Sequence, residues 1–359
     1  MSILGKNTHN AHIAIIGSGI IGKFNSLKLS ELGYKITIID PFKRRNSSSA
    51  ALGILMGAIY QKRSGRSWLL REKSMKLWPK WIEILNKYNS QLKIDKPLFQ
   101  LTTDNNKFEK MKRFIVKHPC ENFKILDKKS DLIRNISNVF EETNLQGIIS
   151  FDDGRINPKE LLKTLDIYLK SKKINHINDE IIKIEQNKNL WVARCKNGEQ
   201  IVANAIVLCN SLESLNLIDA DKFGIKLKPI LGQAIEISHE DKKINFLSLP
   251  KVFSINGRNF IPINERKIIV GSTDEKSTNP NDYKVNELID FLDKKPSWLN
   301  KRNISNKWFG VRSRPEEEAS PILKSLNKGL ILCSGFYKNG ILLAPACAEW
   351  ISNEIKSHL

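Results

Sequence analysis

The 359-residue sequence predicts an α/β fold, and three observations carry the prediction. A short apolar strand runs straight into a glycine triplet, a helical pattern follows, and a second apolar strand closes on an acidic residue. A run of strands with a hairpin signal occupies the middle of the chain, "IIKIEQNKNLWVARCKNGEQIVANAIVLCNS". Near the C-terminus a further apolar strand, "LILCS", stops at Gly335 and restarts as a helix after Asn339-Gly340. Strands that alternate with helices in this way imply a parallel sheet with helices packed on it.

The first element is "HIAIIGSGIIGKFNSLKLSELGYKITIID", residues 12–40. Gly17, Gly19 and Gly22 stand in the Gly-x-Gly-x-x-Gly spacing directly after the strand. The first glycine makes a tight turn, the second lets backbone approach a pyrophosphate, and the third lets helix pack on strand. Ile20 and Ile21 open the helix, whose free N–H groups and dipole favour phosphate. Asp40 ends the second strand, placed to accept hydrogen bonds from ribose hydroxyls. Together these form a Rossmann-like dinucleotide unit, and the acid favours an unphosphorylated ribose, so NAD or FAD over NADP.

Further along, the small residues Ser47 to Ala51, with Ser48 among them, lead to Gly53 and suit a loop and helix start lying against a flat ligand. In "FDDGRINPKELLKTLDIYL", Asn157 reads as an N-cap and Pro158 as the first helical residue. Asn197-Gly198 reads as a hairpin turn, and the apolar strand after it ends in a polar tip, Cys209-Asn210-Ser211. "RNFIPINERKIIVGSTDE" is a strand pair, and "SWLLREKSMKLWPKWIEILNKY" reads as amphipathic helices broken near Pro79. Trp68, Trp78 and Trp81 in that stretch have the spacing of core residues, with a pocket wall as the other reading.

Composition narrows the class. Charged residues make up 27% and hydrophobic ones 41%, which suits a folded chain with a real core. The formal charge of +20 permits an anionic partner, yet the basic residues are scattered, with only short clusters such as Lys43-Arg44-Arg45 and Lys170 to Lys173. A nucleic-acid reader concentrates such charge in a patch, so a composition bias is the preferred reading. The five cysteines, Cys120, Cys195, Cys209, Cys333 and Cys347, form no CxxC pair, and six scattered histidines add no metal spacing. No disulfide framework and no metal site is expected. No apolar run approaches the roughly 20 residues of a membrane span, and the stretch at 12–22 lacks the flanks of a signal peptide. A reducing, cytoplasmic setting is expected.

Taken in order, the N-terminal fingerprint, the small-residue loop before Gly53, the "DGRINP" turn, "IIVGSTDE", "WFGVR" and "GFYKNGILLAP" resemble the D-amino-acid oxidase superfamily of FAD enzymes, most closely its glycine oxidase branch. The resemblance implies non-covalent FAD, with Cys333 buried rather than bonded to it. It implies that the C-terminal strand-glycine-helix element meets the flavin ring. Gly335, Asn339, Gly340 and Ile341 would then join Asn210 and Gly310 as cofactor contacts. The arginine of the Trp-x-Gly-x-Arg pattern grips the substrate carboxylate in the family. Counting from Trp308 through Gly310 assigns Arg312 that role, with Arg314 as the alternative. Lys338 stands where the family has arginine, Phe336 where it has histidine, and Asn259 where it has tyrosine. These four form the expected substrate shell, with Arg312 and Lys338 as the catalytic pair.

The implied architecture is an FAD-binding Rossmann-like domain, 1–78, 148–222 and 306–359, interleaved with an α+β substrate domain, 79–147 and 223–305, around a mostly antiparallel sheet. The implied activity is FAD-dependent oxidation of the C–N bond of a small amino acid (glycine, sarcosine or a D-amino acid) to an imine. Electrons would pass to oxygen or another acceptor. Oxidation of a carboxymethylaminomethyl tRNA base and a non-catalytic FAD-binding role are the alternatives. The particular amine, the acceptor and the oligomeric state, a homo-oligomer included, stay open.

Overall fold

A computed structural model describes residues 11–41, 47–119, 122–292 and 295–359. The basic cluster Lys43-Arg44-Arg45 and Cys120 lie outside the described residues. A six-stranded sheet runs in the order Ile322–Asn327, Leu330–Ser334, Ala205–Leu208, His12–Ile16, Lys35–Ile39, Asn175–Ile177. Its first pair is antiparallel and the other neighbours are parallel. The central strand His12–Ile16 is apolar on both faces because helices cover one side and the small sheet Ile181–Asn187, Leu190–Cys195, Gln200–Ala203 covers the other.

The second large sheet has eight strands, in the order Ile304–Pro315, Leu227–Ser238, Lys267–Gly271, Arg258–Pro262, Phe253–Ile255, Leu98–Thr102, Gln146–Ser150, Phe123–Leu126. Every pairing is antiparallel except that of Phe253–Ile255 with Leu98–Thr102. Its aromatic core joins Phe140, Phe246, Phe253, Phe260 and Trp298. The expected α/β class with a mostly antiparallel second sheet is the fold observed. Three of the expected boundaries, however, fall inside elements: 78/79 in the helix Gly65–Asn86, 147/148 in Gln146–Ser150 and 305/306 in Ile304–Pro315.

Pro79 does not break its helix. Gly65–Asn86 continues through it for 22 residues. The proline ring removes one hydrogen bond, to the carbonyl four residues earlier, but Pro79 lies on the exposed face where water can satisfy that carbonyl. On the opposite face Trp78 and Trp81 are buried against Phe24, with ring centroids 5.7 and 4.5 Å away. That packing offsets the lost bond, and Trp78 and Trp81 are core residues, whereas Trp68 is half-buried with the Arg63 guanidinium over its ring.

The same helix repairs a second proline. Pro345 lies inside the C-terminal helix Gly340–His358. Around it, Ala346 N–H donates to Ser74 Oγ (3.2 Å) and Trp78 Nε1 donates to the Leu342 carbonyl (3.0 Å). Both Ser74 and Ala346 are fully buried. Ser74→Ala therefore strands a buried N–H and should cost about 1–3 kcal/mol in denaturant unfolding. An unchanged midpoint would show that the helix closes around Pro345 unaided.

Candidate active site

The tight turn at Gly17 follows from its neighbours. Its φ is 107°, and an added Cβ would sit 2.7 Å from the backbone carbon of Cys209 and 2.8 Å from Asn210 N. Gly17 N–H donates to the Ile39 carbonyl (2.9 Å), which ties the turn to the strand that ends beside Asp40. Gly22 packs the helix onto that turn, since a Cβ there would lie 1.8 Å from the Gly17 carbonyl oxygen. At Gly19 a Cβ would meet only Ser48 Oγ, at 3.2 Å, so the helix start is open to a close approach. Ser48 Oγ accepts the Ile20 N–H (3.0 Å). Asp40 accepts the Ser18 N–H.

Two helices start at the same cleft, Ile20–Glu31 and Gly340–His358, packed against each other. Neither start has a side-chain cap from its own N-cap residue, and neither has an acid in its first turn. Such starts are poised for anionic groups. The cleft has a volume of about 1130 Å³ and reaches from Asp40 past both helix starts to Arg312 and Lys338. It exceeds the upper end of ordinary small-ligand pockets, about 1,000 Å³, and has the span a dinucleotide cofactor needs.

Of the residues expected from sequence, Gly17, Gly19, Ile20, Ile21, Asp40, Ser48, Gly53 and Asn210 line this cleft. Gly310, Asn339, Gly340, Ile341, Asn259, Phe336, Arg312 and Lys338 do so as well. Gly22 and Gly335 are not on its wall. Gly335 is glycine for a packing reason: a Cβ would lie 2.9 Å from Pro315 Cγ and 3.1 Å from Ile322 Cγ1. Its N–H donates to Ser313 Oγ (3.2 Å), which ties the turn to the strand Ile304–Pro315.

Arg312 and Lys338 are among the charged groups on the cleft wall. Arg312 lies on the strand Ile304–Pro315, which pairs with Leu227–Ser238 so that Arg312 and Ile230 are register partners. Its guanidinium crosses Gly232, where a Cβ would be 2.0 Å from Nη2. Arg312 Nη2 donates to Ser272 Oγ (2.7 Å), and Nη1 lies 3.5 Å from Asp274 Oδ1. Arg312 is mostly buried, and burial draws its pKa down against the pull of Asp274. Arg314 is different: it is exposed, off the cleft wall, with its guanidinium 5.0 Å above the Tyr337 ring. The acids 316–318 bond to Lys228, Lys226 and Arg66.

Sequence reasoning missed the residues that hold this end together. Asp274 Oδ2 accepts both Tyr337 OH (2.6 Å) and Lys338 Nζ (2.7 Å). Burial alone would raise the Asp274 carboxyl. The bonds from Lys338 and Tyr337 and the charges of Lys338 and Arg312 outweigh it and hold the group below its ordinary range. Burial and the bond to Asp274 push the Tyr337 phenol up to about 12, so it stays a donor. Asp153 was also missed. It accepts the N–H groups of Gly57, Ala58 and Ile59 at 2.6–2.9 Å and so braces the loop whose Met56, Ile59 and Tyr60 wall the cleft. The "DG" turn announced a turn there, but nothing in sequence linked it to residues 57–59.

The family model for FAD dependent oxidoreductases, DAO, matches residues 12–354. The chain belongs to the DAO family of FAD-dependent oxidoreductases. The bifunctional protein ThiO/ThiG of Synechocystis sp. is 24% identical over 356 residues, covering 96% of this chain. The chain spans about half, 51%, of that relative's length. Glycine oxidase from Geobacillus kaustophilus has the same fold, with a TM-score of 0.83 at 21% identity over 98% of this chain and 96% of that one. Iminodiacetate oxidase from Chelativorans sp. BNC1 superposes with a TM-score of 0.80 at 17% identity, over 97% and 96% of the two chains. Among the described residues of this DAO-family chain, no helix is long and apolar enough to cross a membrane, and no group of His, Cys, Asp or Glu could hold a metal ion.

The residues present fit FAD. Two anion-ready helix starts, an open approach at Gly19 and an acid at the end of the second strand meet in one cleft of sufficient size.

Proposed function

We propose that this enzyme oxidises the C–N bond of a small amino acid (glycine, sarcosine or a D-amino acid) to an imine, which water hydrolyses. The observation that supports this reading most is Arg312, a mostly buried arginine that lies across Gly232 at the end of the cleft opposite Asp40. A planar guanidinium is the group suited to hold a carboxylate through two parallel hydrogen bonds. Ser272 and Asp274 set its position. Holding the carboxylate orients the neighbouring carbon and its hydrogen, and rate depends steeply on such orientation.

In this reading Ile20, Ile21, Ser48 and Gly19 cradle the cofactor phosphates, and Asp40 takes the ribose. The start of the Gly340–His358 helix, with Asn339 and Ile341, faces the ring. When bound, FAD supplies the hydride acceptor, which passes the electrons to oxygen or another acceptor. Asn259 and Phe336 form the substrate wall, and Lys338 lies near Arg312 with its ammonium held by the Asp274 they share. FAD is held without a covalent bond: burial raises the thiols of Cys209 and Cys333 well above their ordinary pKa and keeps them protonated. The division into a cofactor domain and a substrate domain follows the two large sheets. The eight-stranded sheet, which bears Arg312 and Asn259, carries the substrate.

The test is turnover of the FAD-loaded protein with glycine, sarcosine and a panel of D-amino acids, scored by oxygen uptake and by release of 2-oxo acid. Product from at least one of them is expected. Absence of product with every amine, with oxygen or with an artificial acceptor, would overturn the reading.

A further inference from the structure

Arg312 and Lys338 are two of the cations on the cleft wall, and they share one carboxylate partner. Asp274, exposed and off the wall, bridges the two. One of its oxygens lies 3.5 Å from Arg312 Nη1, and the other accepts Lys338 Nζ at 2.7 Å together with the Tyr337 hydroxyl at 2.6 Å. Lys338 and Tyr337 belong to the segment between the strand Leu330–Ser334 and the helix Gly340–His358, whereas Asp274 follows the strand Lys267–Gly271. The carboxylate thus pins a flexible lysine to a part of the chain it would not otherwise touch.

We infer that Asp274 is a specificity-determining residue that withdraws Lys338 from ligand binding, so that the site takes a substrate with one carboxylate on Arg312 and discriminates against an amine that carries two. The inference rests on the proposed function and names its substrate class. The argument is one of charge. Arg312 and Lys338 bring two positive charges and Asp274 offsets one, so this pair offers one charge to an anion. Lys62 and Arg71 are further cations on the cleft wall. Glu275 is buried, with its carboxylate bonded to Gln233 Nε2 (3.0 Å) and Thr273 Oγ1. Arg314 is exposed and off the wall, with its guanidinium over the Tyr337 ring. Arg71 is tied to the Met56 carbonyl (2.8 Å) and lies over the Tyr60 ring, with Asp153 nearby. A second carboxylate would have to displace Asp274 from Lys338 or approach it unpaired, and like charges brought together disfavour such a partner.

The pinning persists across neutral pH. Asp274 stays ionised because its partners hold its carboxyl below the ordinary range, and the Tyr337 phenol remains protonated.

The experiment measures the affinity of the FAD-loaded protein for methoxyacetate and diglycolate by calorimetry or by the change in the flavin spectrum. These ethers have no amine to oxidise and differ in their second carboxylate. The wild type should bind methoxyacetate about tenfold more tightly than diglycolate. Asp274→Asn frees Lys338 and should improve diglycolate binding about tenfold, which removes the preference or reverses it. The double variant D274N/K338Q again presents one cation and should regain the preference for methoxyacetate. A merely structural role for Asp274 would not produce that recovery. Equal or tighter binding of diglycolate by the wild type overturns the inference. So does a D274N ratio within about twofold of the wild type, or no recovery in the double variant. Failure of every protein to bind either ether would instead overturn the proposed function beneath it.

Discussion

Arg312→Met should lower kcat/KM for the oxidised amino acid by about a hundredfold to a thousandfold while leaving FAD content unchanged. The loss follows from burial. Arg312 is mostly shielded from water and already positioned by Ser272 and Asp274. A carboxylate placed there without its partner would be desolvated and unpaired, a penalty of about 2–5 kcal/mol. Each 1.4 kcal/mol is a factor of ten. Arg312→Lys keeps the charge and loses the fork, so it should fall between wild type and Met. Arg314→Met is the control. Its side chain is exposed and stacked over Tyr337, away from the cleft wall, so its kcat/KM should stay within about threefold, as a rim charge does. A hundredfold loss in R314M with R312M near wild type would reverse the assignment of the two arginines.

Gly17→Ala should abolish stable FAD binding, with at least about a hundredfold weaker affinity. Two costs coincide at this position. The backbone has φ of 107°, where an L side chain is strained by about 1–2 kcal/mol. The new methyl would also overlap the backbone of Cys209 and Asn210 at 2.7–2.8 Å. That backbone cannot retreat cheaply, because Cys209 N–H is bonded to the Ile16 carbonyl (2.7 Å) on the neighbouring strand. Relief therefore moves the turn itself, and with it the helix start at Ile20. Gly224→Ala separates the two costs. Gly224 also has a positive φ, 61°, but an added Cβ meets nothing within 4 Å. It should lose about 1 kcal/mol of stability and none of its FAD affinity. Dialysis and flavin titration, with circular dichroism to verify folding, decide the matter, and tight FAD binding by G17A would contradict the cradle described here.

Local chemistry was legible in the sequence wherever it depends on neighbours along the chain. The glycine turn, the Asn157 cap with Pro158 after it, and the Asn197-Gly198 hairpin all form as their residues dictate. The cleft-lining residues near the fingerprint were legible for the same reason. What failed was set by contacts between distant segments. Pro79 looks like a helix breaker until Trp78 and Trp81 are seen packed on Phe24 from the first helix. Gly335 lies off the cleft wall, packed by Pro315 and Ile322 from elsewhere in the chain. Asp274 read only as part of the strand-end motif "IIVGSTDE", yet it joins residues 63 and 64 positions away. The edge expected at 305/306 falls inside the long strand Ile304–Pro315, which is held in the second sheet by its register with Leu227–Ser238, and no local signal marks that register.

The most direct test of the central claim is the visible spectrum of the FAD-loaded protein under anaerobic conditions, before and after addition of glycine, sarcosine and D-amino acids. The account predicts that one such amino acid bleaches the flavin band in the wild type, and that R312M binds FAD normally but bleaches far more slowly. A flavin band that no amino acid bleaches, even after prolonged incubation, would contradict it.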